Sequence, residues 1–311
     1  MMELKLIENI LWIGMRSATP LLLASLGEIY AERSGILNLG VEGMMAMGAL
    51  SSFVASLLTG NPWIGVLAGL LVGAALSLIH GIISIHLKGN QVVSGLALTM
   101  FGLGLSSVIG RIYIGNQLPV DARFLPVPFK PLSSIPLIGK VFFEQDPLFY
   151  MGIVLAVVLW FILNRTKIGI VIRSTGENPA AVDAMGISVP KVRYGATLLG
   201  GALAGLGGAY LSVSYNPAWI ENITAGRGWI ALALVIFALW DPIRALLGAY
   251  LFGIVEASGY TLQAIGYSQW LLNGLPYLLT IVILTVGATE SMRRRMGAPA
   301  ALGIPYEREE R

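Results

Sequence analysis

The chain alternates between long apolar stretches and short polar, glycine or proline links. Apolar residues dominate positions 11–30, 43–58, 63–87, 92–113, 148–163, 194–213, 229–240, 245–265 and 271–286. A helix needs roughly 20 apolar residues to cross a bilayer, so the pattern predicts an all-α transmembrane bundle of about nine spans. Residues 1–311 then form one membrane domain. The first fourteen residues, MMELKLIENILWIG, are amphipathic enough to lie at an interface before the first span. Arg16 and Glu28 fall toward opposite ends of that span, from which both could snorkel to headgroups.

The polar interruptions differ in kind. Residues 114–147 are proline-rich and charge-balanced (Asp121, Arg123, Lys130, Lys140, Glu144, Asp146), which fits an external loop; residues 214–228 are expected to form another. Residues 165–193 are flanked by Arg165, Lys167, Arg173, Lys191 and Arg193, and residues 288–311 open with an Arg triplet. Basic loops mark the cytoplasmic face. The expected orientation therefore places the 165–193 loop and the C-terminus inside and the N-terminus outside.

Within the 165–193 loop, GENPAAVDAMG predicts a short helix. Glu177 and Asn178 serve the first free N–H groups, Pro179 suits the first helical position, Ala180 to Met185 propagate and Gly186 stops it. Two turns alone are marginal in water, so this helix needs a docking surface in its own chain or in another protein.

Between the first two spans, Glu32, Arg33, Ser34, Asn38 and Glu42 sit among apolar residues. Either this is a simple loop, or SGILNLGVEG is a broken or re-entrant segment, tolerated at membrane depth only where protein or a water-filled cavity surrounds it. Gln91, Ser94 and Thr99 at the start of the fourth span could line a pathway or bond to backbone. Glu256 lies mid-span, where a charged carboxylate costs roughly 2.5–3.5 kcal/mol, so it faces protein or water or is protonated. His80 and His86 are expected to be interfacial or hydrogen-bonded. Gly65, Gly69 and Gly73 form a strip on one helix face, and the sixth span carries Gly195, Gly200, Gly201, Gly205, Gly207 and Gly208, which predicts a central position.

Composition agrees with the pattern. Hydrophobic residues make up 56%, charged residues 12%, and the mean hydropathy is +0.76; soluble domains carry about 25% charge. The net charge of +3 lies beside the spans and is no nucleic-acid signal. Cysteine is absent, excluding disulfides and thiol chemistry. The first apolar segment lacks a small-residue cleavage site and is read as a span rather than a signal peptide. No G-x-x-x-x-G-K-[ST], H-E-x-x-H or G-x-S-x-G pattern occurs. A transporter subunit or an integral membrane enzyme remains; the scatter of acids, His and Lys favours transport. A secondary carrier would show inverted repeats, and no matching half is evident.

Three blocks, ERSGILNLGVEGMMAMGA, GNQVVSGLALT and IGIVIRSTGENPAAVDAMGISVPKVR before the glycine-rich span, closely resemble the branched-chain amino-acid/ribose-type permease family of bacterial ABC importers, in particular its nucleoside and simple-sugar members. The resemblance covers nearly the whole chain. It implies a multi-pass permease of the cytoplasmic membrane that translocates nucleosides, or alternatively ribose-like sugars. The implied partners are a peripheral ATP-hydrolysing subunit carrying the ATP and Mg, a second permease (paralogous or identical) and an extracytoplasmic substrate-binding protein. This chain itself needs no cofactor. On the resemblance, Glu177, Asn178, Pro179, Ala180, Ala181, Val182, Asp183, Ala184, Met185, Gly186 and Ile187 correspond to the coupling helix seated in a groove of the ATPase. Asn38, Glu42, Gln91, Ser94, Thr99 and Glu256 are candidate residues of the translocation path. Ribose-type relatives carry an additional N-terminal span, and this chain is expected to start after it.

Overall fold

The computed structural model describes residues 2–264 and 297–307 continuously, and scattered positions between 268 and 285. Helix α1 (Met2–Arg33) is followed by α2 (Val41–Thr59) and by α3 (Pro62–Gly81), which ends in a π-helical turn at Ile82–His86. After α4 (Gln91–Gly110) comes an irregular segment holding a two-residue antiparallel ladder, β1 (Val127–Pro128) with β2 (Glu144–Gln145), and a short α5 (Ile138–Phe143). Then follow α6 (Pro147–Arg165), α7 (Lys167–Glu177), α8 (Pro179–Ala184), α9 (Val189–Tyr210, with a π-helical turn at Leu211–Tyr215), α10 (Arg227–Phe237) and α11 (Pro242–Ala264).

Six helices among the described residues are long and apolar enough to cross a bilayer: Lys5–Arg33, Val41–Thr59, Pro62–His86, Gln91–Tyr113, Pro147–Arg165 and Val189–Tyr215. They match the first six predicted spans. The seventh, already short at 229–240, is α10, whose 11 residues extend only about 16 Å and do not lengthen into a full crossing. The eighth corresponds to α11, 23 residues long. Nine of the sixteen residues of the ninth predicted span, and the whole Arg triplet, lie outside the described residues, so the count of about nine crossings is not confirmed.

The N-terminus also departs from expectation. Instead of an interfacial segment followed by a span, α1 is one helix of 32 residues containing Pro20. Arg16 and Glu28 do not snorkel outward. Arg16 Nη2 donates to Ser214 O at 2.9 Å, while Glu28 is buried and accepts from the Asn38 N–H at 3.0 Å. Both side chains bond to backbone inside the bundle.

Helix α9 is central, as its glycines predict: 89% of its apolar window is buried, against 33% for α4 and α6. Apolar burial against lipid gives helices no reason to associate, so close van der Waals contact has to supply the attraction. Small residues make that contact possible. A Cβ at Gly73 would lie 2.2 Å from Gly201 O, and one at Gly205 2.2 Å from Gly69 O, so α3 and α9 meet backbone to backbone. Gly48 of α2 abuts Gly205 in the same way.

Candidate functional site

Polar residues from α1, α3 and α4 converge on the break between α1 and α2. Ser34 Oγ turns back to Ala31 O at 2.7 Å, Gly35 takes a φ of 96°, Ile36 N closes the helix end on Ala31 O at 3.1 Å, and residues 37–38 lie outside any helix. Unwound backbone in a membrane bundle needs partners. Leu37 N donates to Gln91 Oε1 at 2.8 Å, Asn38 N to Glu28, and Gly40 N to Asn38 Oδ1 at 2.9 Å. The Leu39 carbonyl accepts from Thr99 Oγ1 at 2.7 Å. His80 Nε2 is 3.1 Å from Leu37 O, and its Nδ1 is 3.0 Å from Ser94 Oγ. A carbonyl only accepts, so Nε2 carries the proton and Nδ1 accepts from Ser94. Asn38, Gln91, Ser94 and Thr99 thus come together, all buried, around one short piece of unwound chain.

Glu42 and Glu256 belong to a second cluster. Glu42, in the first turn of α2, accepts from Thr224 Oγ1 at 2.6 Å, Gly226 N at 2.8 Å and Gly228 N at 2.5 Å. The last two are unpaired N–H groups at the start of α10, so the carboxylate sits against the positive end of a helix dipole. Gly226, at φ 82°, makes the turn that presents them. Arg227 then forms an ion pair with Glu256 of α11, whose Oε2 also accepts from Ser17 Oγ at 3.0 Å. Residues 214–228, predicted as an external loop, therefore end inside the bundle, with Thr224 and Arg227 buried. Arg227 is a residue that sequence reasoning passed over, because its loop setting hid the pairing. The available signal was its position between Gly226 and Gly228, just ahead of an apolar run.

At one end of the bundle, α7 and α8 fill the loop expected from the sequence. Thr166 caps α7 by accepting from Gly169 N at 3.3 Å; Ile172 and Thr175 face inward. This helix was not anticipated. For α8 the cap is Asn178, whose Oδ1 accepts from Ala181 N at 3.0 Å. Pro179 is the first helical residue and Gly186, at φ 82°, follows the end, as predicted. Val182 points inward; Asp183 and Ile187 are half-buried. Glu177, Asn178, Ala180, Ala181, Ala184 and Met185 carry the outward surface, Pro179 being half-buried, and Met185 is 79% exposed. A methionine and alanines presented on so short a helix form a low, adaptable knob.

A family model described as "Branched-chain amino acid transport system / permease component" matches residues 10–284. This chain belongs to that permease family. The permease is 40% identical to TsgC13 of Haloferax volcanii, described as a glucose ABC transporter permease protein, over 95% of this chain and 96% of that one. It is 37% identical to the guanosine ABC transporter permease protein NupQ of Bacillus subtilis, over 93% of each chain. Among solved structures it resembles a transporter described as metal-chelate type, in an inward-facing conformation, with a TM-score of 0.53, 15% identity, and 89% of this chain and 85% of that one covered. The last likeness bears on the fold alone. The chain is a multi-pass permease subunit of the ABC transporter kind.

Proposed function

We propose that this permease moves nucleosides across the cytoplasmic membrane, driven by a separate ATP-hydrolysing subunit that grips α8. The observation that carries the reading is the capped, outward-facing α8 at one end of the bundle, together with likeness to NupQ over nearly the full chain. ATP closure of the paired ATPases displaces α8, and the spans rock between inward and outward openings. The likeness to TsgC13 favours a second reading in which the cargo is a simple sugar. A second permease and an extracytoplasmic substrate-binding protein complete the importer, with α8 and residues 297–307 on the cytoplasmic side and the N-terminus outside.

Charge reversal at Glu177 and bulk at Ala181 (Glu177→Lys, Ala181→Trp) alter exposed positions and leave the bundle core intact. In vesicles containing the whole importer, each is expected to lower uptake about tenfold at unchanged permease content, a coupling loss of ordinary size. Full uptake in both variants removes the docking assignment. Parallel uptake of labelled guanosine and glucose, each competed by the other, separates the two cargo readings.

The natural absence of cysteine permits a direct test of the path. Single cysteines at Asn38, Gln91, Ser94, Thr99 and Glu256 are expected to react with a polar thiol reagent in one nucleotide state and be shielded in another. Protection in every state would leave these residues with only their roles in holding the break and α10.

A further inference from the structure

Residues 297–307 lie across the same end of the bundle as α8 and are tied to four separate elements. Ala301 N donates to Gly176 O at 2.8 Å, and Ala300 N reaches Glu177 Oε2 at 3.4 Å; both acceptors belong to the last turn of α7, just ahead of α8. Gly303 N donates to Gly35 O at 3.1 Å, inside the break that follows α1. Glu307 pairs with Lys88 in the link between α3 and α4. The Lys88 ammonium, by hydrogen bond and by charge, holds the Glu307 carboxyl below its usual range.

Arg193 joins these contacts from the second turn of α9. It is buried, and one guanidinium serves two segments: Nε donates to Ser34 O at 3.2 Å and Nη1 to Ile304 O at 3.1 Å. The fit is close. A Cβ at Gly35 would lie 2.8 Å from Arg193 Nη2 and 3.2 Å from Ala301 O, and one at Gly176 2.3 Å from Arg33 O and 3.1 Å from Pro299 Cβ. A tail merely resting on the surface needs no such approach. Between the tail and α8 runs a cavity of about 610 Å³, with Asp183, Gly186 and Ile187 on one side and Lys88, Tyr306 and Glu307 on the other.

We infer that residues 299–307 and Arg193 are positioning elements of the transport cycle. They tie the base of α8 to the α1–α2 break, so that a displacement imposed on α8 reaches the residues Gln91, His80 and Thr99 hold in place. The inference rests on the reading of α8 as the ATPase-docking helix. Its physical basis is that one backbone segment bonds both to Gly176, at the foot of α8, and to Gly35, in the break. Packing of α7 on α1 and α9 also approaches the break, through Gly176 against Arg33 O and through Arg193 on Ser34 O; the tail adds a direct backbone link from Gly176 to Gly35.

The test uses the complete importer in proteoliposomes with its binding protein. One variant ends after Met296. A second, Gly303→Pro, removes the N–H bonded to Gly35 and cannot adopt the φ of 76° found there. Arg193→Lys keeps the charge but loses the rigid planar fork whose Nε and Nη1 point at the two carbonyls. At equal amounts of assembled complex, basal ATP hydrolysis is expected to persist while substrate moved per ATP falls about tenfold. A merely structural tail would lower complex yield and leave transport per ATP unchanged, and that result overturns the inference. Should the truncated chain fail to assemble, the two point variants decide. Uncoupling by Ala181→Trp, which touches no tail contact described above, but not by the tail variants rejects the tail's role and leaves α8 docking standing; the reverse pattern rejects α8 docking itself.

Discussion

Replacing Gly208 by valine is expected to abolish recovery of a folded permease. The Cβ itself, before any rotamer is chosen, would stand 1.9 Å from Met45 O and 2.8 Å from Met45 C in the backbone of α2. No side-chain adjustment relieves a clash with a main-chain carbonyl, so α9 and α2 would have to separate. Overpacking commonly costs about 1–3 kcal/mol when side chains are free to yield; here only backbone is available and the cost lies above that range. Separation would also loosen the neighbouring contacts of Gly205 with Gly48 and Gly69. Gly195→Ala on the same helix is the control, since a Cβ there meets nothing within 4 Å, and exchanging Gly for Ala in a helix favours folding by about 1 kcal/mol. Thermal unfolding and monodispersity in detergent check the pair. Similar behaviour of the two variants would mean that α9 is not held by backbone contact.

Glu42→Ala is expected to cost nearly as much, through lost bonds rather than a clash. Three donors, Thr224 Oγ1 and the N–H groups of Gly226 and Gly228, converge on its carboxylate, and Glu42 is buried. Hydrogen bonds to a charged group contribute about 1.5–3 kcal/mol each, and a buried donor left without a partner carries its own desolvation penalty. A loss of roughly 3 kcal/mol or more is expected for alanine. Glutamine keeps one acceptor oxygen and should lose about half as much, while Thr224→Val, which removes one donor and its need together, should cost least. The order Ala, Gln, then Thr224→Val in unfolding temperature is the check. Equal values for all three would show that α10 does not depend on this carboxylate for its N-terminal cap.

These two sites show unequal legibility. Gly69 and Gly73, four residues apart, and the glycine cluster after residue 194 announce close helix packing, and the structure joins those two groups. The Asn178-Pro179 start and Gly186 stop of α8 are equally local, because caps depend on residues a few positions apart. The grouping around Glu42 is another matter. Its partners lie more than 180 positions away, and nothing near residue 42 in the chain distinguishes a carboxylate meeting a helix end from one facing a pore. For the same reason Glu256 could be recognised as needing a partner, while Arg227 could not be named as that partner.

Errors in the sequence reading have a common origin. Hydropathy averages along the chain, so it cannot separate a full span from the half-length α10, nor reveal that residues 222–228 turn back into the bundle. The polar side chains of Arg16 and Glu28 suggested headgroup contact, yet Arg16 bonds Ser214, far along the chain, and Glu28 bonds Asn38 in the break that follows its own helix. The break at residues 34–40 was visible as a possibility only, since a simple loop carries much the same residues.

By itself the sequence determined the solvent, the first six long helices, the family and the ends of α8, because burial in lipid and helix capping are written in neighbouring residues. Tertiary structure alone decided which polar group meets which, how far α10 runs and where residues 297–307 lie. Those outcomes depend on side chains satisfying backbone brought together from remote parts of the chain, and no local pattern encodes that meeting.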